Sequence, residues 1–296
     1  MTLGGMPIFR YACHCDKCQA MLFFVGGLGH LSSQASIFDL SSANLQENAR
    51  LVMLEATAVQ AQGRITAEDS GIELDSHVEW LRNNEPFAPG YPTPRAVTLD
   101  EIKQFKKDFL SGVRRAVDAG FDVIDFHFAH DYLISSFLSP ATNKCTDKYG
   151  GSFENKVRLA LEIIEEARAI IPDHMPSFAR ISATDWLNNN PEYEGENWTL
   201  DQSIRLAHLL AERGVDVLDV SSGGVHKMPK VAAGPGYQSP FSKAIKKSVG
   251  DKMLVSTVGS IKTGTLADEI IQGDDDDTPL DLVAAGRMFQ KNPGPV

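Results

Sequence analysis

From residue 50 onward, short apolar runs rich in β-branched residues alternate with longer stretches of leucine-rich helical spacing. This rhythm constrains the fold more than any other feature. The apolar runs are "RLVMLEATAV" (50–59), "DVIDFHFAH" (122–130), "SFARISATD" (177–185), "VDVLDVSSG" (215–223), "MLVSTVGSI" (253–261) and "LDLVAAGR" (280–287). Between them, 99–120, 152–171, 200–214 and 263–273 read as amphipathic helices, with Gly120, Gly214 and Gly273 as C-terminal caps. Near-continuous apolar strands separated by helices predict a parallel sheet with helices outside, class α/β. Two architectures satisfy this: a (β/α)8 TIM barrel or an open, doubly wound sheet.

The ends of the runs favour the barrel. Each finishes in small, polar or charged residues: Glu55 and Thr57, His127 and His130, Arg180, Ser221 and Ser222, Gly259, then Gly286 and Arg287. In a barrel, such ends converge on one mouth, where the chemistry sits. The barrel predicted is incomplete. Six runs are clear and a seventh, "MLFFVGG" (21–27), has irregular flanks, whereas closure needs eight. The first 45 residues hold no clear strand–helix unit, and 80–97 is a proline-bearing loop where a third strand is expected. We therefore divide the chain into a divergent N-terminal segment, 1–48, and a barrel domain, 49–296.

The totals exclude more than they assign. A formal net charge of −11 disfavours nucleic acid or an anionic membrane as partner. No apolar run of membrane-spanning length and no secretory leader are evident, and four cysteines do not make a disulfide framework in a chain this long. A cytoplasmic setting is expected. The run Asp274–Asp277 reads as a solvated loop. "CHCDKC" (13–18) has zinc-ligand spacing in Cys13, Cys15 and Cys18, but it lacks a nearby fourth ligand, and no metal is expected.

Three strand-end features carry chemistry. "DFHFAHDYL" (125–133) places His127, His130 and Tyr132 within six positions. Two imidazoles at one mouth can bind a substrate oxygen or a metal, and a phenol can deliver a proton; equally, they can be polar residues that close a strand. Arg180 interrupts the apolar "FARIS", so it meets either an anionic ligand or a structural acid. Gly259 and Gly286-Arg287 follow the last two strands, where barrels often hold phosphate. That points to a phosphorylated substrate or flavin mononucleotide.

The stretch "GFDVIDFHFAHDYLISSFLSPATNKCTDKYGGSFENKVRLALEII" (120–164) resembles the old yellow enzyme family, in the branch of FMN-dependent NADPH dehydrogenases. "LEATAVQAQGRITAEDSGI" (54–72), "GYPTPRAVTLDEIKQFKKDF" (90–109), "ARISATDW" (179–186), "LDVSSGG" (218–224), "VSTVGSI" (255–261) and "AAGRMFQKNPG" (284–294) extend the resemblance over most of the chain. It implies an ene-reductase: FMN across the barrel mouth, NADPH as reductant, and an enone or enal as the small-molecule substrate, with homo-oligomerisation open. By the same resemblance, Ala56 lines the flavin and Arg180 sits by its ring. Gly259, Gly286 and Arg287 hold its phosphate. His127 and His130 bind the substrate carbonyl, and Tyr132 protonates the α-carbon. The chain departs from the family at the N-terminal flavin-contacting segment, at the third strand with its Gln, and at the C-terminal helix. Cys145 replaces an Arg, and Asp131 replaces a Gly and brings a carboxylate beside the histidines. These departures imply an incomplete scaffold, and an impaired remnant that binds FMN weakly or not at all is the alternative.

Overall fold

Six parallel strands form in chain order where the apolar runs predict them. They are β4 (Leu51–Glu55), β5 (Val123–Phe128), β6 (Ser177–Ser182), β7 (Val217–Ser221), β8 (Leu254–Val258) and β9 (Leu282–Ala285). The computed structural model describes residues 2–3, 6–12, 21–26 and 51–55 by their backbone. It describes 96–286 in full apart from 119, 131, 227–228 and 274–276. Ahead of β4 lie β1 (Thr2–Leu3), β2 (Met6–Ala12) and β3 (Met21–Gly26).

The β2–β3 hairpin spans the gap between the ends of the parallel array. β3 pairs antiparallel with β9 from Phe23↔Ala285 to Gly26↔Leu282, and β2 meets β4 at Tyr11↔Leu51. The result is a (β/α)8 barrel left incomplete: six of its strands are parallel, and an antiparallel hairpin stands where further strand–helix units would close it. The run at 21–27 does form a strand, but in this hairpin rather than in a strand–helix unit. The expected absence of a third strand concerns residues outside those described, as does the Cys13, Cys15 and Cys18 segment.

Helices α1 (Leu99–Asp118), α2 (Leu133–Leu138), α3 (Phe153–Arg168), α4 (Leu200–Ala211), α5 (Ser239–Val249) and α6 (Gly264–Gln272) connect the strands. Local signals set their ends. Ser152 accepts from the Asn155 amide to cap α3, and Thr199 and Gln202 make a reciprocal capping box on α4. Alternate strand residues serve two cores. Ile124, Phe126, Phe128, Ala179, Ile181, Leu218, Val220 and Val255 face the helices in the large outer core. Val123, Phe178, Val217, Leu254 and Leu282 form a smaller cluster inside the strand ring. The inward residues one step further along are not apolar: in the parallel register His127 stands beside Arg180, Arg180 beside Asp219, and Asp219 beside Ser256. Register partners on parallel strands project to the same face. The ring thus has an apolar floor and a polar layer above it, toward the carboxyl ends of the strands.

Candidate active site

The polar layer leads to the predicted mouth. His127 occupies the penultimate position of β5 and is 3% exposed. Neither of its nitrogens has a hydrogen-bond partner among the described residues. Burial, then the charges of His130 and Arg180, push its pKa well below the usual histidine range, so it stands neutral, with one N–H to give and one lone pair to receive with. The strand ends one residue later. His130 then adopts left-handed backbone (φ 58°) and turns back over the mouth. Its amide donates to Ser182 Oγ at 3.0 Å, and its Nε2 lies 2.7 Å from Ser221 Oγ. Tyr132 is half-buried and serves as the N-cap residue of α2. The His127 ring centroid lies 5.3 Å from that of His130 and 5.1 Å from that of Tyr132, the latter edge to face. The three residues form one cluster.

Arg180 reaches the same layer from β6, with its Nε 3.2 Å from Asp219 Oδ2. Asp219 is fully buried; burial raises its carboxyl pKa, while Arg180 and Ser256 pull it back. The sequence left an anionic ligand or a structural acid open for Arg180, and the acid is present. Asp219 escaped sequence reading because a single acid in "VLDVS" looks like a strand-edge residue. Only the strand register reveals it as inward-facing.

Gly259 follows β8 with φ 129°, and a Cβ there would meet Gln238 Nε2 and Tyr237 Cε1 at 2.9 Å each. Glycine is required there first by the packing of the Tyr237–Gln238 segment. Gly286 follows β9, and a Cβ there would meet no described residue within 4 Å. Ala56, Asp131 and Arg287 lie outside the described residues. The described residues fit an anionic, aromatic group bound at the mouth: a guanidinium in the polar layer beneath it, a buried neutral imidazole with nitrogens unpartnered among the described residues, and backbone at Gly286 with no described side chain against it.

A second set of polar residues was legible only in part: the sequence places Ser221 and Ser222 at a strand end facing the mouth, but not Gln238 or Trp186 beside them. Ser221, the last residue of β7, and Ser222 after it both donate to Gln238 Oε1, at 3.2 and 2.6 Å. Gln238 Nε2 donates to Val258 O at 2.9 Å, and Trp186 Nε1 donates to Ser222 Oγ at 2.8 Å. The "TDKYGGSFEN" segment proves architectural: Asn143 donates to the Phe137 and Tyr149 carbonyls, and Tyr149 Oη donates to Glu162, tying α2 to α3. Among the described residues no group of three or more His, Cys, Asp or Glu is placed to hold a metal ion. None of the described helices is long and apolar enough to cross a membrane.

Residues 84–295 match the NADH:flavin oxidoreductase / NADH oxidase family. An NADH:flavin oxidoreductase of Gibberella zeae is 40% identical over 307 residues, covering 84% of this chain and 73% of that protein. An NADPH dehydrogenase of a Geobacillus species is 36% identical over 276 residues, covering 82% and 76%. Among solved structures, the old yellow enzyme homologue from Zymomonas mobilis superposes with a TM-score of 0.58 at 24% identity, over 83% of this chain and 65% of that one. Histamine dehydrogenase from a Rhizobium species gives a TM-score of 0.58 at 22% identity, and the match spans only 31% of that longer chain. These two likenesses bear on the fold.

Proposed function

The chain belongs to the NADH:flavin oxidoreductase / NADH oxidase family, and from that premise we propose the reaction it performs: an FMN-dependent NADPH dehydrogenase of the old yellow enzyme type, it reduces the C=C bond of α,β-unsaturated carbonyl compounds. The observation that carries this reading is the His127–His130–Tyr132 cluster, whose innermost member is buried, neutral and without hydrogen-bond partners among the described residues.

FMN, held by Arg180, Gly259 and Gly286 with Ala56 and Arg287, would supply the two-electron hydride-transfer chemistry between NADPH and the alkene. The chain's own residues bind and polarise. His127 donates its N–H to the substrate carbonyl oxygen, and His130 holds the other side of that oxygen. Charge that develops there meets fixed dipoles. Tyr132 gives its phenolic proton to the α-carbon and recovers one from solvent, so the alkene gains one hydride and one proton. Arg180, Gly259 and Gly286, with Ala56 and Arg287, are the residues this reading assigns to the cofactor, and Asp219 holds the Arg180 guanidinium in the mouth.

An absorbance spectrum of the purified full chain tests the proposal. The expected result is a flavin spectrum, present as purified or after adding FMN, that bleaches anaerobically with NADPH and returns with cyclohexenone. A protein that stays colourless with added FMN overturns the reading and leaves the impaired remnant. A flavin that NADPH bleaches and no enone restores overturns the substrate class alone.

A further inference from the structure

The proton inventory around Gln238 has a consequence for His130. Gln238 is 3% exposed and Ser221 4%, so water does not stand in for a missing partner. The Gln238 amide can be oriented only one way: its Nε2 faces the Val258 carbonyl at 2.9 Å, and a flipped amide would set two acceptors against each other there. Oε1 is therefore turned to the serines. It accepts from Ser222 Oγ at 2.6 Å and from Ser221 Oγ at 3.2 Å. Ser222 satisfies its own lone pair by accepting from Trp186 Nε1 at 2.8 Å.

A serine hydroxyl has one proton. If Ser221 gives that proton to Gln238 Oε1, its oxygen has only lone pairs to offer His130 Nε2, 2.7 Å away. The Nε2 position must then carry the hydrogen. If Ser221 instead gave its proton to Nε2, its oxygen and Gln238 Oε1 would face each other as two buried acceptors. The first arrangement satisfies each of these contacts; the second leaves one repulsive.

We propose that Ser221 and Gln238 are positioning residues that lock His130 as its Nε2–H tautomer and fix the ring over the mouth, the proton order being set by Val258 O, Gln238, Ser221 and His130 in turn. The backbone supports the same end. Gly224 has φ +98°, and a Cβ on it would come within 2.6 Å of His130 Cα, so the loop after β7 packs directly against the residue it orients. In this tautomer Nδ1 of a neutral His130 carries a lone pair, so the ring reaches a carbonyl oxygen only through the Nε2–H it shares with Ser221; that role in catalysis rests on the proposed function, whereas the tautomer itself does not.

Long-range 1H–15N correlation spectra of the histidine ring nitrogens, recorded on the full chain without ligand, read the tautomer directly. The expected wild-type result is His130 in the Nε2–H form, in roughly tenfold excess, the preference one net hydrogen bond confers. Gln238→Met removes the acceptor and keeps the length. It frees the Ser221 proton for Nε2, and the Nδ1–H form becomes the major species. Ser221→Ala gives a mixture, and Ser221→Thr restores the wild-type pattern. The His208 ring, bonded to Ser248 far from the mouth, reports that each variant is folded. A Gln238→Met spectrum identical to wild type at His130, or a wild type already in the Nδ1–H form, overturns the proposal. If Gln238→Met does not fold, Ser221→Ala against Ser221→Thr decides: an alanine variant that keeps a pure Nε2–H ring overturns it. A protein that shows the locked tautomer and never takes up FMN removes the proposed function and leaves the relay standing.

Discussion

Arg180 Nε stands 3.2 Å from Asp219 Oδ2 inside the strand ring, and the Asp219 side chain is wholly buried while that of Arg180 is 9% exposed. Each charge is tolerated there because of the other. Removing one partner leaves an uncompensated buried charge, which typically costs about 3–5 kcal/mol, whereas replacing both with apolar residues costs far less. Asp219→Ala is thus expected to lower the free energy of unfolding by that order in a urea titration. The Arg180→Leu/Asp219→Leu pair should lose clearly less than the sum of its single variants. Additive losses would mean that the two side chains do not compensate each other.

Two buried titrating groups give stability opposite pH dependences. Asp185 accepts from Ser139 Oγ at 2.6 Å and from the Trp198 amide at 2.7 Å, but burial outweighs both bonds and raises its pKa from 3.8 to about 6. A carboxyl whose folded pKa is raised contributes stability that is full below the unfolded value and is lost as pH rises through the folded one. For Asp185 that loss spans pH 3.8 to about 6 and is on the order of 3 kcal/mol. His127 runs the other way. Its folded pKa lies well below the ordinary histidine value of about 6.5, so its contribution is present above that value and is lost as pH falls. Unfolding measured from pH 4 to 8 should show the Asp185 slope flatten in Asp185→Asn, which keeps an acceptor for both donors. The His127→Asn variant should lose the acid-side slope. Unchanged slopes in both variants would assign the pH dependence elsewhere.

Gly150 and Gly151 adjoin in sequence and are required for different reasons. A Cβ on Gly150 would lie 2.0 Å from the Cys145 carbonyl oxygen, a backbone atom that cannot yield. Gly151 has φ +80°, and a Cβ would meet nothing within 4 Å. Gly150→Ala should therefore cost about 3 kcal/mol or more, and Gly151→Ala about 1 kcal/mol, the usual penalty of left-handed backbone. Thermal melts of the two variants separate them, and equal losses would contradict the distinction.

The contrast shows what the sequence could and could not convey. The alternation of apolar runs and helical spacing located β4 through β9 and helices α1, α3, α4 and α6, because those elements form one repeating pattern. It missed α2, whose six residues are all buried and present no polar face to set a period. It missed α5, whose opening Ser-Pro follows a glycine- and proline-bearing loop and reads as more loop. The histidine cluster was legible because its residues are close in the chain. Its supports were legible only in part: the sequence set Ser221 at a strand end toward the mouth, but Asp219 and Gln238 join it only through strand register and the loop after β7, and no local motif marks them. Antiparallel closure by β2 and β3 was likewise invisible, since a hairpin has no place in a strand–helix rhythm.

Tyr132 separates the two halves of the proposed reaction. Its ring packs edge to face on His127, with centroids 5.1 Å apart. The Tyr132→Phe variant keeps that ring contact and removes only the hydroxyl. If the phenol delivers the proton to the α-carbon, the variant should reoxidise with an enone about 10²–10⁴-fold more slowly, the usual worth of a positioned acid. Anaerobic reduction by NADPH needs no proton from Tyr132 and should keep its rate. His127→Ala should instead weaken enone binding, because the donor to the carbonyl oxygen is gone while the phenol remains. Stopped-flow traces of each half-reaction read these effects apart. A Tyr132→Phe enzyme slowed equally in both halves would mean that the hydroxyl organises the mouth rather than supplying the proton, and the acid would then have to be sought among the other groups that face it.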